Sequence, residues 1–478
     1  MDMTTGAITT KLFRLSWPLV VGNVLQTAYN LADMIWVGRV SAEAVAAVSL
    51  MFPMTFLFIS VAMGLTAASV ALVSQHVGAG EERAAENTVA QTVLLATGLA
   101  FVIAVSGYAF RHELVWLIGA RNLVFDLSLD YLEVILVSIP FTFLFFAFRS
   151  VLRAAGDTKT AMWLMVFSAG LNVVIDPFFV LSGDPFFGFE GPFLGLGVRG
   201  AALATLISRV LATAVGMYVL LDGSWGIRLR IRDLRPDLPV LRKLVDIGYP
   251  ATIDGLARSL AAVAFAAIVA RFGPIPTAAY GIALRMMSVS WTVSGAVGQA
   301  VATGVGQNLG ARIPDRAAEV TWKGTGGSMA LLFAVGAAAF VFPDVAMWVF
   351  IADAAVIEEG VTLLRIVAPF WAFMGGLMVV QGAFRGAGDT RQAMVLSFLS
   401  RWIFRIPVAL VLAYPLAMAE IGLWWSLAAS GTITFFVGVV WFNLGRWQEG
   451  VVEGGGPGPS PTPANPGTDP DADVPAED

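Results

Sequence analysis

Cysteine is absent from this 478-residue chain, so no disulfide and no thiolate metal site belongs to it. Histidine occurs only at His76 and His112, far apart, which leaves imidazole-based metal binding or acid–base catalysis little to build on. Charged residues make up 13% of the chain against 57% hydrophobic, and the mean hydropathy of +0.77 is far from that of a water-soluble domain. No GxxxxGK phosphate loop is present, which argues against an ATP-driven pump. No DDxxD-like run of acids is present to hold a metal-bound diphosphate, which argues against a membrane prenyl transferase. No enzyme class is suggested and no metal site is expected, beyond the sodium alternative named below.

Apolar runs of about 20 residues, the length that crosses the hydrocarbon core, recur along the whole chain and leave no room for a soluble domain. The first run is too long for a cleavable signal and continues as a span. The chain is also duplicated. RAAGDTKTAM at 153–162 returns as RGAGDTRQAM at 385–394, identical at seven of ten positions. Pro18 and Pro250, Gln75 and Gln307, and Gly156 and Gly388 are each 232 residues apart, so the register holds through both halves. In the first copy Gly156 suits a helix C-terminal cap and Asp157 a helix N-cap, which predicts a tight helical hairpin.

The first span, about residues 12–37, carries Asn23, Gln26, Asn30 and Asp33 on one helical face, with Tyr29 one turn before Asp33. Amides on such a stripe glue helices together. A carboxylate costs about 2.5–3.5 kcal/mol at the centre of a span and marks a cavity or a partner, so Asp33 is a functional candidate. In the fifth span, NVVIDP places Asn172 and Asp176 one turn apart, and Pro177 lacks the N–H that would bond the carbonyl of Val173. An acid beside broken backbone is how transporters build ion sites. By helical rise, Asp176 lies ~27 Å along its helix from Thr158, and Asp33 lies ~33 Å from Lys11, so the two acids can meet in the outer half of the bilayer. Two carboxylates in contact there make a place for one proton. With Asn172 they also offer oxygen ligands to sodium. Glu133, near the start of the fourth span, is either a supporting acid or a solvated one.

The second half repeats the spans near 244–270, 277–306, 318–342, 356–384, 391–415 and 421–444. An even number of spans per half gives both halves the same orientation in the membrane. Their chemistry differs, since Phe265 and Val408 stand where Asp33 and Asp176 would fall. Arg258, Arg285, Arg401 and Arg405 lie instead at membrane depth, Asp254 pairing with Arg258 one turn away. Arg401 and Arg405 share a face with no acid nearby in sequence, and they line a cavity or contact a backbone carbonyl. The predicted fold is an all-α polytopic membrane protein of twelve transmembrane helices in two parallel six-helix repeats around a central cavity. The expected units are an N-lobe at 1–221, a basic linker at 222–243, a C-lobe at 244–446 and a disordered acidic tail at 447–478. The net charge of −5 belongs to that tail, because the chain without its seven acids is +2. Arg228, Arg230, Arg232, Arg235, Arg242 and Lys243 make the linker cytoplasmic by the positive-inside rule. Counting back six spans puts both termini and the loops at Arg83 and at Arg149, Arg153 and Lys159 on the same side, as expected for a plasma or inner membrane protein.

The duplicated GAGDT phrase, the QNLGA end of the eighth span, twelve spans in two halves, and Asp33 with NVVIDP resemble the multidrug and toxic compound extrusion (MATE) transporters. The resemblance covers about residues 12–446. It implies two six-helix bundles around a cavity and export of bulky, often cationic compounds in exchange for protons, with sodium as the alternative coupling ion and no cofactor. Most similar is the DinF-like branch, including its archaeal members. That similarity carries Tyr29, Asp33, Tyr131, Asn172 and Asp176 over to a polar N-lobe site, with Thr205 as its span-six threonine. No acid of the tenth span is expected to match the C-lobe cation site of the NorM branch. Gln26, Asn30, Arg401 and Arg405 are expected to line the substrate cavity. A lipid-linked anion flippase of the same superfamily is the competing reading, favoured by Arg401 and Arg405 but often built of fourteen spans. A monomer in the lipid bilayer is expected, taking small drugs or organic cations and no nucleic acid.

Overall fold

The computed structural model describes residues 1–182, 193–223 and 227–452. Residues 224–226 of the linker and 453–478 of the expected tail lie outside them. Twelve long helices follow in chain order: α1 (Ile8–Gly38), α2 (Ala42–Gly78), α3 (Glu82–Ala109), α4 (Asn122–Ala154), α5 (Thr158–Val180) and α6 (Gly197–Asp222) form the first repeat. The second holds α7 (Leu238–Ala270), α8 (Pro274–Gly310), α9 (Pro314–Val341), α10 (Ala354–Gly386), α11 (Thr390–Ala413) and α12 (Ala419–Asn443). Helices α2 and α8, α3 and α9, α4 and α10, and α5 and α11 start at residues 42 and 274, 82 and 314, 122 and 354, and 158 and 390, every pair 232 apart. The short helices Arg111–Leu117 and Pro343–Trp348 keep the same offset.

Local chemistry sets these boundaries. Ser41 accepts from the Ala44 amide to start α2, and prolines open α8 and α9, where a missing N–H costs nothing. At the first GDT turn Gly156 takes φ +84° and the Asp157 amide reaches back to the Leu152 carbonyl, while the Asp157 side chain caps α5 at Thr160. The second turn repeats this backbone at Gly388, φ +86°. Pro18 and Pro250 leave α1 and α7 continuous.

Ten of the twelve helices are long and apolar enough to cross a membrane, while α1 and α8 are long but fall short in apolarity. The reason is their place. Helix α1 packs on α8, and α2 on both α7 and α8, so α1 and α8 face the seam between the halves and carry polar stripes instead of an all-round lipid surface.

The seam is closed at the end that holds both GDT turns. Gln75 Nε2 donates to the Gly386 carbonyl and Gln307 Nε2 to the Ala154 carbonyl, each at 3.2 Å, a pair of bonds between halves related by the repeat. Gln307 Oε1 accepts from the Met3 amide at 2.9 Å, and Gln75 Oε1 from Val451 at 2.8 Å and Val452 at 3.1 Å. Both segments that flank the helical bundle therefore complete this end, and Met3 is fully buried in it.

Candidate polar sites in the two lobes

Helices α1, α4, α5 and α6 bring six of the expected residues together. Asp33 and Asp176 interact directly through their carboxyl groups, and Tyr131 of α4 lies beside both of them and Tyr29. The Tyr29 hydroxyl is 3.1 Å from Thr205 Oγ1, which also accepts from Asn172 Nδ2 at 3.4 Å. Asp176 and Asn172 are 0% and 1% exposed. Asp33 Oδ1, both oxygens of Asp176 and Asn172 Oδ1 are buried with no hydrogen-bond partner. Four oxygens in want of a donor or a cation, with no guanidinium paired to either acid among the described residues, are the donor set of a site for one proton or one hard monovalent cation. Gln26 and Asn30 are not part of it. Gln26 Nε2 donates to Asn30 Oδ1 at 3.1 Å along the α1 surface, where Asn30 is exposed.

The residues missed from the sequence are arginines. Arg209, 6% exposed, lies one turn beyond Thr205, donates to Ser168 Oγ at 3.3 Å and sits 4.3 Å over the Phe145 ring. It lines a narrow seam, too tight for a water molecule, with Tyr29, Asn172 and Thr205. Arg149 and Arg153 are not loop charges as the topology count assumed. Helix α4 runs on to Ala154, so both sit inside its last turns: Arg149 is 9% exposed, and Arg153 donates to Gln299 Oε1 of the other half. The signal was available, because a charge this deep in a span needs an account whether it is an acid or a base.

In the second half, Asp254 is 1% exposed, and its Oδ2 accepts from Arg258 at 3.0 Å and from Arg385 at 2.9 Å, the second partner lying in the repeated phrase itself. Arg401 and Arg405 are apart from the acid pair, in the other lobe, and sit on a π-helical stretch of α11 at 399–405. Their hydrogen bonds are to neutral groups: Arg401 Nη1 to the Ser397 carbonyl at 3.5 Å, and Arg405 Nε to Ser430 Oγ at 3.2 Å. A hydrogen bond to a charged group contributes about 1.5–3 kcal/mol at good geometry, and 3.5 Å is near the limit where one counts at all. Asp254 adds a charge attraction to Arg401, but its hydrogen bonds go to Arg258 and Arg385. The tenth span carries acids at its start. Helix α10 holds Glu358 and Glu359 in its first two turns, and Glu359 accepts from Trp424 Nε1 at 2.7 Å. Glu133 is held by Arg111 Nε at 2.7 Å, an ion pair outside the Asp33–Asp176 site.

Two repeated six-helix halves with ionisable residues buried in each describe a polytopic membrane transporter of two-lobe design. The MatE family profile matches residues 18–178 and 250–411, which is most of the chain and the same stretch of each repeat. The chain belongs to the MatE family and is a secondary-active multidrug efflux transporter, not an enzyme. It is 29% identical over 430 residues to a probable multidrug resistance protein, YoeA, of Bacillus subtilis, covering 88% of this chain and 90% of that one. It is also 29% identical over 306 residues to an FAD transporter of Shewanella oneidensis, covering 64% of this chain and 66% of that one. The solved outward-facing structure of a multidrug resistance MATE family transporter of the MOP superfamily matches with a TM-score of 0.85 at 24% identity, covering 92% of this chain and 96% of that chain. This likeness carries the twelve-helix, two-lobe fold.

Proposed function

We propose that this transporter exports bulky, often cationic compounds in exchange for protons, and that Asp33 and Asp176 are the coupling site. The observation that carries the reading is the direct interaction of two carboxyl groups, Asp176 fully buried and Asp33 partly so, with no cationic partner among the described residues. Two like charges so placed cannot both persist in a low dielectric, so one proton entering from the outer side neutralises the pair. Neutralisation removes the repulsion between α1 and α5 and lets α1 bend at Pro18 or near Asn30, reshaping the cavity. Thr205 ties α6 to Tyr29 of α1 and to Asn172 of α5, the two helices that carry the acids. The closed seam at the Gln75 and Gln307 end is one of the two states that alternating access requires.

Sodium is the second reading, favoured by the unpartnered oxygens of Asp33, Asp176 and Asn172. We further assign the chain to the DinF-like branch, as a monomer with lobes at 1–221 and 244–446 and both termini in the cytoplasm. A single cysteine replacing Pro415 in this cysteine-free chain then labels from outside. Purified protein in liposomes, given first an imposed proton gradient and then a sodium gradient at constant pH, separates the ions. Ethidium export that follows the proton gradient supports the proposal. Export that follows sodium alone moves the coupling to that ion, and export under neither gradient sinks the antiport reading.

A further inference from the structure

One lobe holds the acid pair, and the other holds an excess of positive charge. Arg258, Arg385, Arg401 and Arg405 are four guanidinium groups gathered by α7, α10 and α11, and Asp254 is the acid that ion-pairs among them. Its carboxylate is already shared by Arg258 and Arg385 through one oxygen. Arg401 and Arg405, one turn apart, hydrogen-bond to a carbonyl and a hydroxyl, and the Phe265 ring lies 6.0 Å from Arg405; the negative charge that reaches Arg401 is that of Asp254, whose hydrogen bonds go to the other two arginines. Both stand on the π-helical stretch of α11, a widened turn that is found mostly where a helix serves a function. At the matching places of the first lobe, 232 residues earlier, stand Ala169 and Val173, so the pair is no demand of the fold.

Part-buried guanidinium groups with donors to spare are the chemistry that recognises carboxylate, sulfonate and phosphate. We propose that Arg401 and Arg405, with Arg258 beside them, form an anion site in the second lobe, which takes either a small inorganic anion or the acidic group of the transported compound. The site rests on the efflux reading and deepens it, since compounds bearing both a cationic and an acidic group, or an acidic group alone, then become substrates. Arg401 and Arg405 set specificity, and the acid pair of the first lobe drives the cycle.

The test uses the full chain in lipid nanodiscs and in liposomes with two probes of similar bulk, carboxyfluorescein as the organic anion and ethidium as the cation. Wild type is expected to bind carboxyfluorescein, and Arg401→Met and Arg405→Met each to weaken that binding tenfold or more, far beyond any change in ethidium binding. Arg401→Lys and Arg405→Lys keep the charge, so they restore most of the affinity and show that the Met variants fail for want of charge and not of folding. Chloride or phosphate that competes with carboxyfluorescein and is not carried assigns the site to an inorganic anion. Gradient-driven uptake of the dye assigns it to the substrate. If wild type exports ethidium yet binds neither carboxyfluorescein, chloride nor phosphate, or if the Met variants weaken both dyes alike, the anion site is wrong and the antiporter stands. If wild type moves neither dye under any gradient, it is the efflux reading that fails.

Discussion

A methyl group added at Gly310 tests whether the α2–α8 crossing is the moving seal. Its Cβ would lie 1.9 Å from the Gln75 carbonyl oxygen and 2.7 Å from the Gln75 carbonyl carbon, and both are backbone atoms that no rotamer change removes. Gly78 meets the Gln307 carbonyl oxygen at the same 1.9 Å. Ordinary contact needs about 3.5 Å, so Gly310→Ala must push the helices apart by roughly 1.5 Å at the point where the halves are bonded. Overpacking of this kind costs about 1–3 kcal/mol. That strain exists only while this end is closed, so it shifts the balance toward the open state by about 5- to 150-fold. The native chain has no cysteine, and Ser74→Cys on α2, where the native side chain is fully buried, reports exposure of the seam to a maleimide. Labelling of Ser74→Cys is expected to accelerate roughly tenfold or more when Gly310→Ala is added. Unchanged labelling, in protein that still binds ethidium and elutes as a single species, would refute the reasoning.

Two other outcomes follow from named contacts. Thr205→Ala removes the shared partner of Tyr29 and Asn172, two hydrogen bonds at about 1 kcal/mol each, so gradient-driven export should fall roughly five- to thirtyfold while Thr205→Ser stays near wild type. In the linker, the Arg83 guanidinium beside Asp233 holds its carboxyl below the ordinary carboxylate range, and Gln91 grips the Asp233 and Arg235 carbonyls. A lowered value means the anchoring is complete above the unfolded carboxylate value of about 4 and is lost as pH falls through the folded one. The protection factors of residues 229–237, exchange rates taken relative to the intrinsic rate at each pH, should therefore be high at pH 7 and severalfold lower near pH 3. Asp233→Asn should show the lower protection at both values.

The repeat was legible because an offset in sequence survives as an offset in space: the GDT turns, the starts of α2 to α5 against α8 to α11, and the paired glutamines all keep 232 residues between them. The acid site was legible for a different reason. Asp33 and Asp176 are costly in a span, and helical rise alone brings them to one depth, whereas Thr205 was placed only by resemblance and needed the fold to meet Tyr29. Rotation about the bundle is what sequence does not carry. Gln26 and Asn30 share a stripe with Asp33 but turn to each other and not to the site. Arg149 and Arg153 read as loop charges because the end of an apolar run is not the end of its helix, and α4 continues through them. The partner of Asp254 in α10, 131 residues away, is a contact that no local spacing predicts.

The most direct measurement follows export and binding in Asp33→Asn and Asp176→Asn together. Each amide keeps the shape of the protonated acid and removes the charge that a proton would neutralise, so ethidium affinity in nanodiscs should stay within about threefold of wild type, well under the ~1.4 kcal/mol that a tenfold change represents. Ethidium export driven by an imposed pH gradient should fall to the level of protein-free liposomes in both variants. Export at the wild-type rate by both would contradict the assignment of the coupling site.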